Sequence, residues 1–371
     1  MAMLVYWLIF TAFAVGAISY ASTLARLGAL PVSGPAAEVV SRRSAILSAA
    51  GFALLLLIGL RYDVGGDWSN YLDIFRRLSG QEMIPAVFGS RQEPAYVLVN
   101  MIALRLGAGM WFVNLVCAVP FTYGLFRICR QQPNPWLALV VAAPFLIIVV
   151  GMGYTRQAAA MGFLMIGLSK IIDRKPPIQF ILWTLAGALF HRTVLIFLPV
   201  MFVAGVKNKL VSYSLVLFSL ALAYFVVLPG AMDQYGTGYI RQTYNAAGAG
   251  IRVMMNVVPA VLLLAFRDRF FWAPEERGVW GTFAALCIIA GLALPFIGSN
   301  VIVDRLAIYL IPMQIFVYAR IGYCFGLIRR GWLMWTVAVI LYSGAVLYVW
   351  LNHAVNAFAW LPYQNYITAP D

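Results

Sequence analysis

The sequence predicts an all-α polytopic membrane protein with about 12 transmembrane helices, and its composition and apolar patterning lead to that fold class. The chain of 371 residues is 63% hydrophobic and only 11% charged, whereas a soluble domain carries roughly 25% charged residues. Too few polar side chains remain to cover a water-facing surface, so much of the apolar surface must face lipid. The apolar runs are continuous rather than alternating, as at 51–60 and 136–150, which favours helices over a β-barrel.

The spans follow from the apolar segments, at about 3–22, 44–60, 108–127, 136–152, 157–171, 178–206, 209–229, 253–267, 279–297, 303–325 and 332–351. A crossing needs about 20 residues. The segment 178–206 is longer, carries His191 and Arg192 near its centre and has basic clusters on both sides. Because both clusters should lie inside, we expect two short spans with His191 at the outer apex. Residues 1–371 are then a single transmembrane domain with both termini outside, and the first span is an uncleaved one.

The formal net charge of +13 comes from basic residues scattered in ones and twos between apolar runs. That pattern is typical of loop charges that set membrane orientation, so no nucleic-acid partner is expected. The loops predicted to lie inside hold most of the basic residues and all of the lysines. The outer side nevertheless receives several arginines, and charge near the membrane is costly unless it faces a partner or an aqueous cavity. The sequence therefore predicts a binding site on the outer side.

Two extracytoplasmic loops are expected, at 61–107 and 230–252. After Gly65-Gly66, which should break the helix, apolar residues recur at helical spacing from Trp68 to Leu78. That spacing predicts an amphipathic helix lying in the interface. A second short helix is expected from about Pro94 to Leu106.

The candidate site residues all fall in these outer pieces. Guanidinium groups bind phosphate oxygens bidentately and stay charged, so arginines beside interfacial carboxylates suit an anionic headgroup. Each residue also has an ordinary structural interpretation. The arginines could extend to lipid headgroups, His191 could hydrogen-bond between helices, and Asp67 could cap the following helix. The tyrosines and tryptophans could belong to interfacial belts.

Several kinds of site are not expected. The sequence contains no Walker or GxGxxG phosphate loop, no HExxH and no GxSxG motif. A nucleotide-sugar donor with a metal is therefore not expected, and neither a metal nor a cofactor is predicted. The four cysteines show no metal-ligand spacing and should be small core residues.

The outer motifs together resemble the EpsG family of exopolysaccharide and capsule polymerases, which are Wzy-like. The resemblance rests on an ordered set of short motifs between residues 61 and 363: Arg61 with Val64-Gly65-Gly66-Asp67 and Tyr71, Glu93-Pro94-Ala95-Tyr96, Thr155-Arg156-Gln157-Ala158, Phe190-His191-Arg192-Thr193, Asp304-Arg305 and Pro362-Tyr363. One departure is Gly66, where a threonine or another small polar residue is expected before the aspartate.

The resemblance implies a GT-C-like inverting glycosyltransferase in the bacterial inner membrane, with its active site on the periplasmic or external face. A growing glycan on undecaprenyl diphosphate would be the donor and one lipid-linked repeat unit the acceptor. A chain-length regulator and a flippase are possible partners. The predicted base is one of Asp67, Glu93 and His191, which the sequence does not separate. The predicted diphosphate- and substrate-binding residues are Arg61, Arg156, Gln157, Arg192, Arg241, Arg252, Asp304, Arg305 and Tyr363.

Three other functions remain open at the level of the sequence. A polysaccharide ligase of the O-antigen type would use the same donor with a different acceptor. A lipid-linked glycan flippase or transporter would place its charges along a central path and often show internal repeats, which we do not find. A membrane acyltransferase would call for a catalytic histidine near the cytoplasmic face, and both histidines are predicted to lie outside.

Overall fold

The computed structural model is almost entirely helical over the residues that it describes, which are 2–27, 36–199, 214, 248–270, 272, 274–295, 300–325 and 329–368. The α-helices of these residues are α1 (Leu4–Leu27), α2 (Ala36–Gly59), α3 (Trp68–Leu78), α4 (Met83–Gly89), α5 (Pro94–Arg105), α6 (Met110–Arg130), α7 (Pro135–Ala142), α8 (Thr155–Ile172), α9 (Ile178–Ala188), α10 (Ala249–Ala265), α11 (Pro274–Ala293), α12 (Asn300–Ile308), α13 (Pro312–Cys324) and α14 (Arg329–His353). A π-helical segment (Ala143–Gly151) continues α7, and 3-10 turns cover Arg192–Phe197, Arg267–Arg269 and Ala357–Trp360.

The helices confirm an all-α membrane protein. Among the described residues, four helical stretches are long and apolar enough to cross a bilayer, namely Leu4–Thr23, Met110–Arg130, Glu276–Ala293 and Gly331–His353. Shorter apolar helices occupy other predicted spans, including Pro135–Gly151 and Ala249–Ala265. The segment 209–229 lies outside the described residues apart from position 214. The full set of twelve crossings and the GT-C-like fold therefore stay predictions.

The centre of the bundle is α7 with its π-helical continuation. Every residue from 137 to 151 is buried, and α1, α13 and α14 pack around this element. A helix that is apolar on all sides is stable only when it is surrounded by protein or lipid. The outer helices instead expose large apolar side chains, such as Leu8 (58%), Phe52 (62%) and Met334 (72%). Those side chains form the surface that lipid would cover.

The charged residues separate to opposite ends of the bundle. At the carboxyl ends of α6 and α8, Arg127 pairs with Asp173, and Arg320 of α13 pairs with Glu276 of α11. Arg156 lies at the other end, in the first turn of α8. An 18-residue helix such as α8 is about 27 Å long. The residues predicted to lie inside and outside are thus held apart by the length of a helix.

The two interfacial helices agree with their predicted positions. Helix α3 runs from Trp68 to Leu78 and buries Trp68, Tyr71, Ile74 and Leu78. Helix α5 runs from Pro94 to Arg105, with its proline at the amino end. The short α4 between them was not predicted from the sequence. All four cysteines are buried and unpaired, as expected.

Two predicted spans are interrupted. The segment predicted as one span at 303–325 contains a turn at 309–311, which separates α12 from α13. Pro312 contributes to the turn because it has no N–H group to donate to Ile308 O, which instead accepts from Ile311 N at 3.2 Å. In the segment 178–206, α9 ends at Ala188 and a 3-10 turn begins at Arg192. The predicted break beside His191 is therefore present, while residues 200–206 lie outside the described residues.

The tightest helix crossing joins α6 and α8 through glycines. A Cβ atom built on Gly162 would lie 2.3 Å from the backbone carbonyl of Pro120, and one built on Gly124 would lie 2.2 Å from the oxygen of Gly162. Backbones approach this closely only where side chains are absent. We expect Gly162→Ala to destabilise the protein by about 1–3 kcal/mol, because the helices must move apart. Thermal unfolding in detergent measures the effect.

Gly281→Ala is the matched control for that change. Gly281 lies within α11, and nothing lies within 4 Å of a Cβ built there. Alanine is the better helix former, so this variant should melt at or above the wild-type temperature. Equal melting temperatures for the two variants would contradict the close α6–α8 crossing.

A buried ion pair fixes the end of the bundle opposite Arg156. The Arg320 guanidinium donates to both carboxylate oxygens of Glu276, at 3.1 and 2.8 Å, and to Gln132 Oε1 at 2.9 Å. Glu276→Gln removes the negative charge that faces the buried Arg320 guanidinium in this pair and should cost about 3–5 kcal/mol. Asp268→Asn is the control, since Asp268 is 75% exposed in its pair with Arg277 and should contribute about 0–1 kcal/mol. Equal melting temperatures for the two variants would contradict this interpretation.

Candidate functional site

A buried carboxylate, Glu93, is the centre of the predicted outer site. Its Oε2 accepts a hydrogen bond from Arg156 Nη1 at 2.8 Å, while Oε1 lies 3.5 Å from His191 Nδ1 and 3.7 Å from Arg192 Nε. Arg156 Nη1 also donates to the side-chain oxygen of Gln92. We refer to Gln92, Glu93, Arg156, His191 and Arg192 as the Glu93 cluster. Three of the motifs predicted from the sequence therefore meet at one carboxylate.

Local backbone geometry brings these residues together. Glu93 lies at the amino end of α5, and Ala95 N donates to Leu189 O at 3.0 Å, which ties this end to the residues that follow α9. His191 then has extended backbone, with φ −156°, and starts the 3-10 turn. Helix α8 supplies Arg156 from its first turn. Helix ends thus converge and leave their side chains facing one region.

The charges of the cluster shift the titration of its members. Burial would raise the pKa of Glu93, but the hydrogen bond with His191 and the charge of Arg156 outweigh it and lower that pKa to about 2. Burial lowers the pKa of His191 below its usual range, although the neighbouring Glu93 opposes the change. At neutral pH the cluster therefore contains an ionised carboxylate, a neutral imidazole and two guanidinium groups.

Arg156 keeps part of its hydrogen-bonding capacity for a ligand. Only Nη1 of its guanidinium donates to a side chain among the described residues. The group lies over two tyrosine rings, with Cζ 5.9 Å from the centroid of Tyr71 and 5.6 Å from that of Tyr96. The side chain is 19% exposed. The tyrosines hold the cation in place, while Nε and Nη2 make no hydrogen bond to the described residues.

A second charged group lies on α10 and α12. Arg252 and Asp304, which we refer to as the Asp304 pair, form a two-pronged contact, with Nε to Oδ1 at 2.6 Å and Nη2 to Oδ2 at 2.9 Å. Arg252 Cζ lies 5.9 Å from the ring of Phe145. Phe145 belongs to the π-helical segment, a geometry often found at functional sites.

The two charged groups are connected through the first turn of α8. Gln157 Nε2 donates to the backbone oxygen of Arg305 at 2.9 Å. Tyr154 directly precedes this first turn of α8. Burial raises the pKa of Tyr154 to about 12, the charge of Asp67 adds to the increase, and the charges of Arg252 and Arg305 oppose it. The phenol is thus within electrostatic reach of Asp67 and of the Asp304 pair, so one region contains residues from the start of α3 and from α8, α10 and α12.

Asp67 occupies the N-cap position of α3, but its side chain makes no capping hydrogen bond. The capping interpretation is therefore not supported. Its carboxylate forms no ion pair with the described residues, and its charge acts on Tyr71, Tyr154 and Arg156. Asp67 is a partly exposed carboxylate at the edge of the arginine-containing region.

Arg61 and Tyr363 do not join the Glu93 cluster or the Asp304 pair. Arg61 is only 1% exposed, and it donates to Ile58 O and to Thr155 Oγ1, both at 2.6 Å. The structure thus places the Arg61 guanidinium in the interior beside the C-terminal segment, away from the exposed part of the predicted site. Tyr363 donates its hydroxyl proton to Leu57 O at 2.7 Å. Arg241 and most of the predicted loop at 230–252 lie outside the described residues.

The sequence analysis missed several residues of this region. Tyr309, in the turn after α12, lies 3.3 Å from Thr193 Oγ1, and Thr193 Oγ1 lies 3.4 Å from His191 Nδ1. Tyr154 was missed although it directly precedes the Thr155-Arg156-Gln157 motif. A tyrosine at an interface has the same pattern as a belt residue, so only its position next to the arginine motif could have indicated Tyr154.

Comparison with known proteins gives a match to a protein family. Neither a curated protein nor a solved structure matches the chain. The family model described as the EpsG family matches residues 44–365, a range that includes the Glu93 cluster and the Asp304 pair. Because that match covers most of the chain, the protein belongs to the EpsG family, a family of Wzy-like polymerases.

Proposed function

We propose that this protein is a polysaccharide polymerase that joins undecaprenyl-diphosphate-linked repeat units on the outer face of the bacterial inner membrane. The growing glycan on its lipid diphosphate is the donor, and one lipid-linked repeat unit is the acceptor. The observation that carries the proposal is the partly exposed Arg156, gathered with Arg192 around Glu93 at one end of the bundle. Membership of the EpsG family supports the same conclusion.

The arginines suit the leaving group of this reaction. When the anomeric C–O bond breaks, its electron pair stays on the diphosphate, so negative charge grows on the bridging oxygen. Positive groups fixed near that oxygen stabilise the transition state more than the ground state. Arg156 is the first candidate because Nε and Nη2 of its guanidinium make no hydrogen bond to the described residues. Arg192, Arg252 and Arg305 add positive charge, and the proposed reaction is metal-independent.

The attacking acceptor hydroxyl forms the new C–O bond and loses its proton to a base. We propose Asp67 for that role and a positioning role for Glu93. With a pKa of about 2, Glu93 has little affinity for a proton, and its partners occupy both carboxylate oxygens. Asp67 forms no ion pair with the described residues. His191, which is neutral at neutral pH, is the other candidate base.

Arg156→Ala should abolish growth of the polymer, because the diphosphate loses its main stabilising donor. Removing one such donor typically lowers kcat by about 10²–10³-fold. The measurement is the product ladder formed by the enzyme in nanodiscs from purified lipid-linked repeat unit alone, a substrate that a ligase does not extend. Chelation of divalent ions should leave wild-type activity unchanged. Full-length polymer from this variant would remove Arg156 from the mechanism.

Arg77→Ala is the matched control for that experiment. Arg77 is an exposed arginine in the last turn of α3, outside the Glu93 cluster. The control should form the wild-type ladder. Arg156→Lys provides a second comparison, since it keeps the charge but loses the planar fork that binds phosphate. It should recover a small part of the activity at most.

Asp67→Asn should slow chain growth by about 10²–10⁴-fold, the usual contribution of a general base, while the protein still binds undecaprenyl diphosphate. His191→Gln separates the two base candidates. If His191 is the base, wild-type activity falls on the acid side with a pKa below 6.5, because burial lowers the pKa of this imidazole. The His191→Gln variant would then lack this fall of activity at acid pH, and the assignment of Asp67 as the base would be wrong.

A further inference from the structure

A cluster of aromatic rings lies at the start of α3 and in the C-terminal segment. These rings are not among the residues proposed to bind the diphosphate. Tyr62 and Tyr366 meet edge to face with ring centroids 5.0 Å apart, and both contact Trp68, at 5.8 and 6.3 Å. We refer to these three residues as the aromatic platform. Within the platform Trp68 is buried, whereas the Tyr62 and Tyr366 side chains are partly exposed.

The platform is fixed by main-chain hydrogen bonds between distant segments. Tyr62 N donates to Gln364 O at 3.0 Å, and Tyr366 N donates to Leu60 O at 2.8 Å. These bonds hold the C-terminal tail against the chain that follows α2. The ring positions therefore follow from backbone pairing, so a rigid surface is available before a ligand arrives.

The exposed polar groups of 62–70 beside the platform are anionic or neutral. Asp63, next to Tyr62, is exposed and has a positive φ of 47°, a conformation that aspartate and asparagine tolerate better than most residues. Asp67 lies on the other side of the turn, and Ser69 and Asn70 are exposed at the start of α3. Neither 62–70 nor 361–368 contains a lysine or an arginine. Arg61, whose charge acts on Tyr366, is buried and offers no exposed donor. The exposed groups of these two ranges thus include no cation for a phosphate, while their carboxylates accept hydrogen bonds from hydroxyl groups.

Helix α3 sets the distance from the platform to the arginine-containing region. Trp68 carries the platform, and Tyr71, three residues later on the same buried face, lies under Arg156. One helical turn spans about 5.4 Å, which is close to the length of one sugar ring. Asp67 directly precedes Trp68 at the start of this helix, and its charge acts on both Tyr71 and Arg156, so the proposed base lies where the two surfaces adjoin.

We propose that the aromatic platform, with Asp63, binds the acceptor sugar of the lipid-linked repeat unit. Tyrosine rings provide rigid apolar faces against which the C–H face of a sugar packs, with a polar edge for hydrogen bonding. The acidic surroundings favour an uncharged or amino-substituted sugar over a phosphate group. This inference rests on the proposed polymerase function and assigns its acceptor subsite.

The test uses the full-length protein in nanodiscs and in a deletion strain of the source organism. The variant Tyr62→Ala/Tyr366→Ala should bind undecaprenyl diphosphate with wild-type affinity and slow chain growth by about tenfold, with shorter polymer in the cells. Tyr62→Phe/Tyr366→Phe should restore growth, because the rings remain. Tyr123→Ala is the matched control, since Tyr123 is 52% exposed on α6 away from the platform, and it should behave as wild type.

The remaining outcomes show whether the proposed acceptor subsite or the proposed polymerase function is wrong. If the Tyr62→Ala/Tyr366→Ala variant extends polymer at the wild-type rate, the platform is not the acceptor subsite. The proposed polymerase function still holds in that case if Arg156→Ala abolishes chain growth. A joint fall in melting temperature and undecaprenyl diphosphate affinity shows a structural role and also overturns the platform. If the alanine variant fails to fold, Asp63→Asn decides, because asparagine tolerates the positive φ and wild-type growth there contradicts the proposal. Polymer formation by Arg156→Ala would instead reject the proposed function.

Discussion

The organisation of the outer end depends on the buried carboxylate of Glu93. Arg156 and Arg192 come from distant segments of the chain and would repel each other without an anion between them. Burying a charge is costly unless a partner and hydrogen bonds compensate for it. Glu93 is that partner, with Arg156 Nη1 at 2.8 Å and His191 Nδ1 at 3.5 Å. One carboxylate therefore fixes where α8 begins relative to the residues that follow α9.

The same arrangement determines what the arginines can still do. Glu93 occupies one nitrogen of the Arg156 guanidinium, and the rings of Tyr71 and Tyr96 lie beside the group. The side chain is held in one position, yet its remaining N–H groups make no hydrogen bond to the described residues. A donor fixed before the reaction needs no reorganisation when charge develops. Glu93 thereby serves the proposed reaction better as a positioning residue than as a base.

Much of this region could be predicted from the sequence, because the relevant signals are local. Pro94 starts a predicted helix directly after Glu93, Arg156 lies between two apolar segments, and the basic clusters on both sides of 178–206 predict the break at His191. The charge pattern predicts that all three lie on one side of the membrane. Their mutual contacts could not be predicted, since 63 residues separate Glu93 from Arg156 and no local pattern records that pairing.

The burial of Arg61 could not be predicted from the sequence. Arg61 has the same residue type, the same predicted side of the membrane and a neighbouring Gly-Gly-Asp motif. It is nevertheless buried, because the C-terminal segment folds back over it and pairs Asn365 with Arg61. Trp360 of that segment donates to Ile148 O at 2.9 Å and packs so closely on Gly153 that a Cβ there would lie 2.1 Å from the indole. A contact across about two hundred residues leaves no trace in either segment alone.

The folding back of the C-terminal segment also explains why opposite chemistries lie side by side. By covering Arg61, the segment removes a guanidinium from the surface near α3 and puts Tyr366 in its place. The surface beside Asp67 thus lacks the Arg61 guanidinium, and Arg156, whose charge Asp67 also affects, stays in the Glu93 cluster. A glycosyl transfer to a lipid-linked acceptor needs both environments, since positive charge must meet the departing diphosphate and a free carboxylate must meet the hydroxyl. Because the C-terminal segment holds Arg61 in the interior, no ion pair from that residue occupies the Asp67 carboxylate, and the fold of this segment preserves the separation on which the proposed chemistry depends.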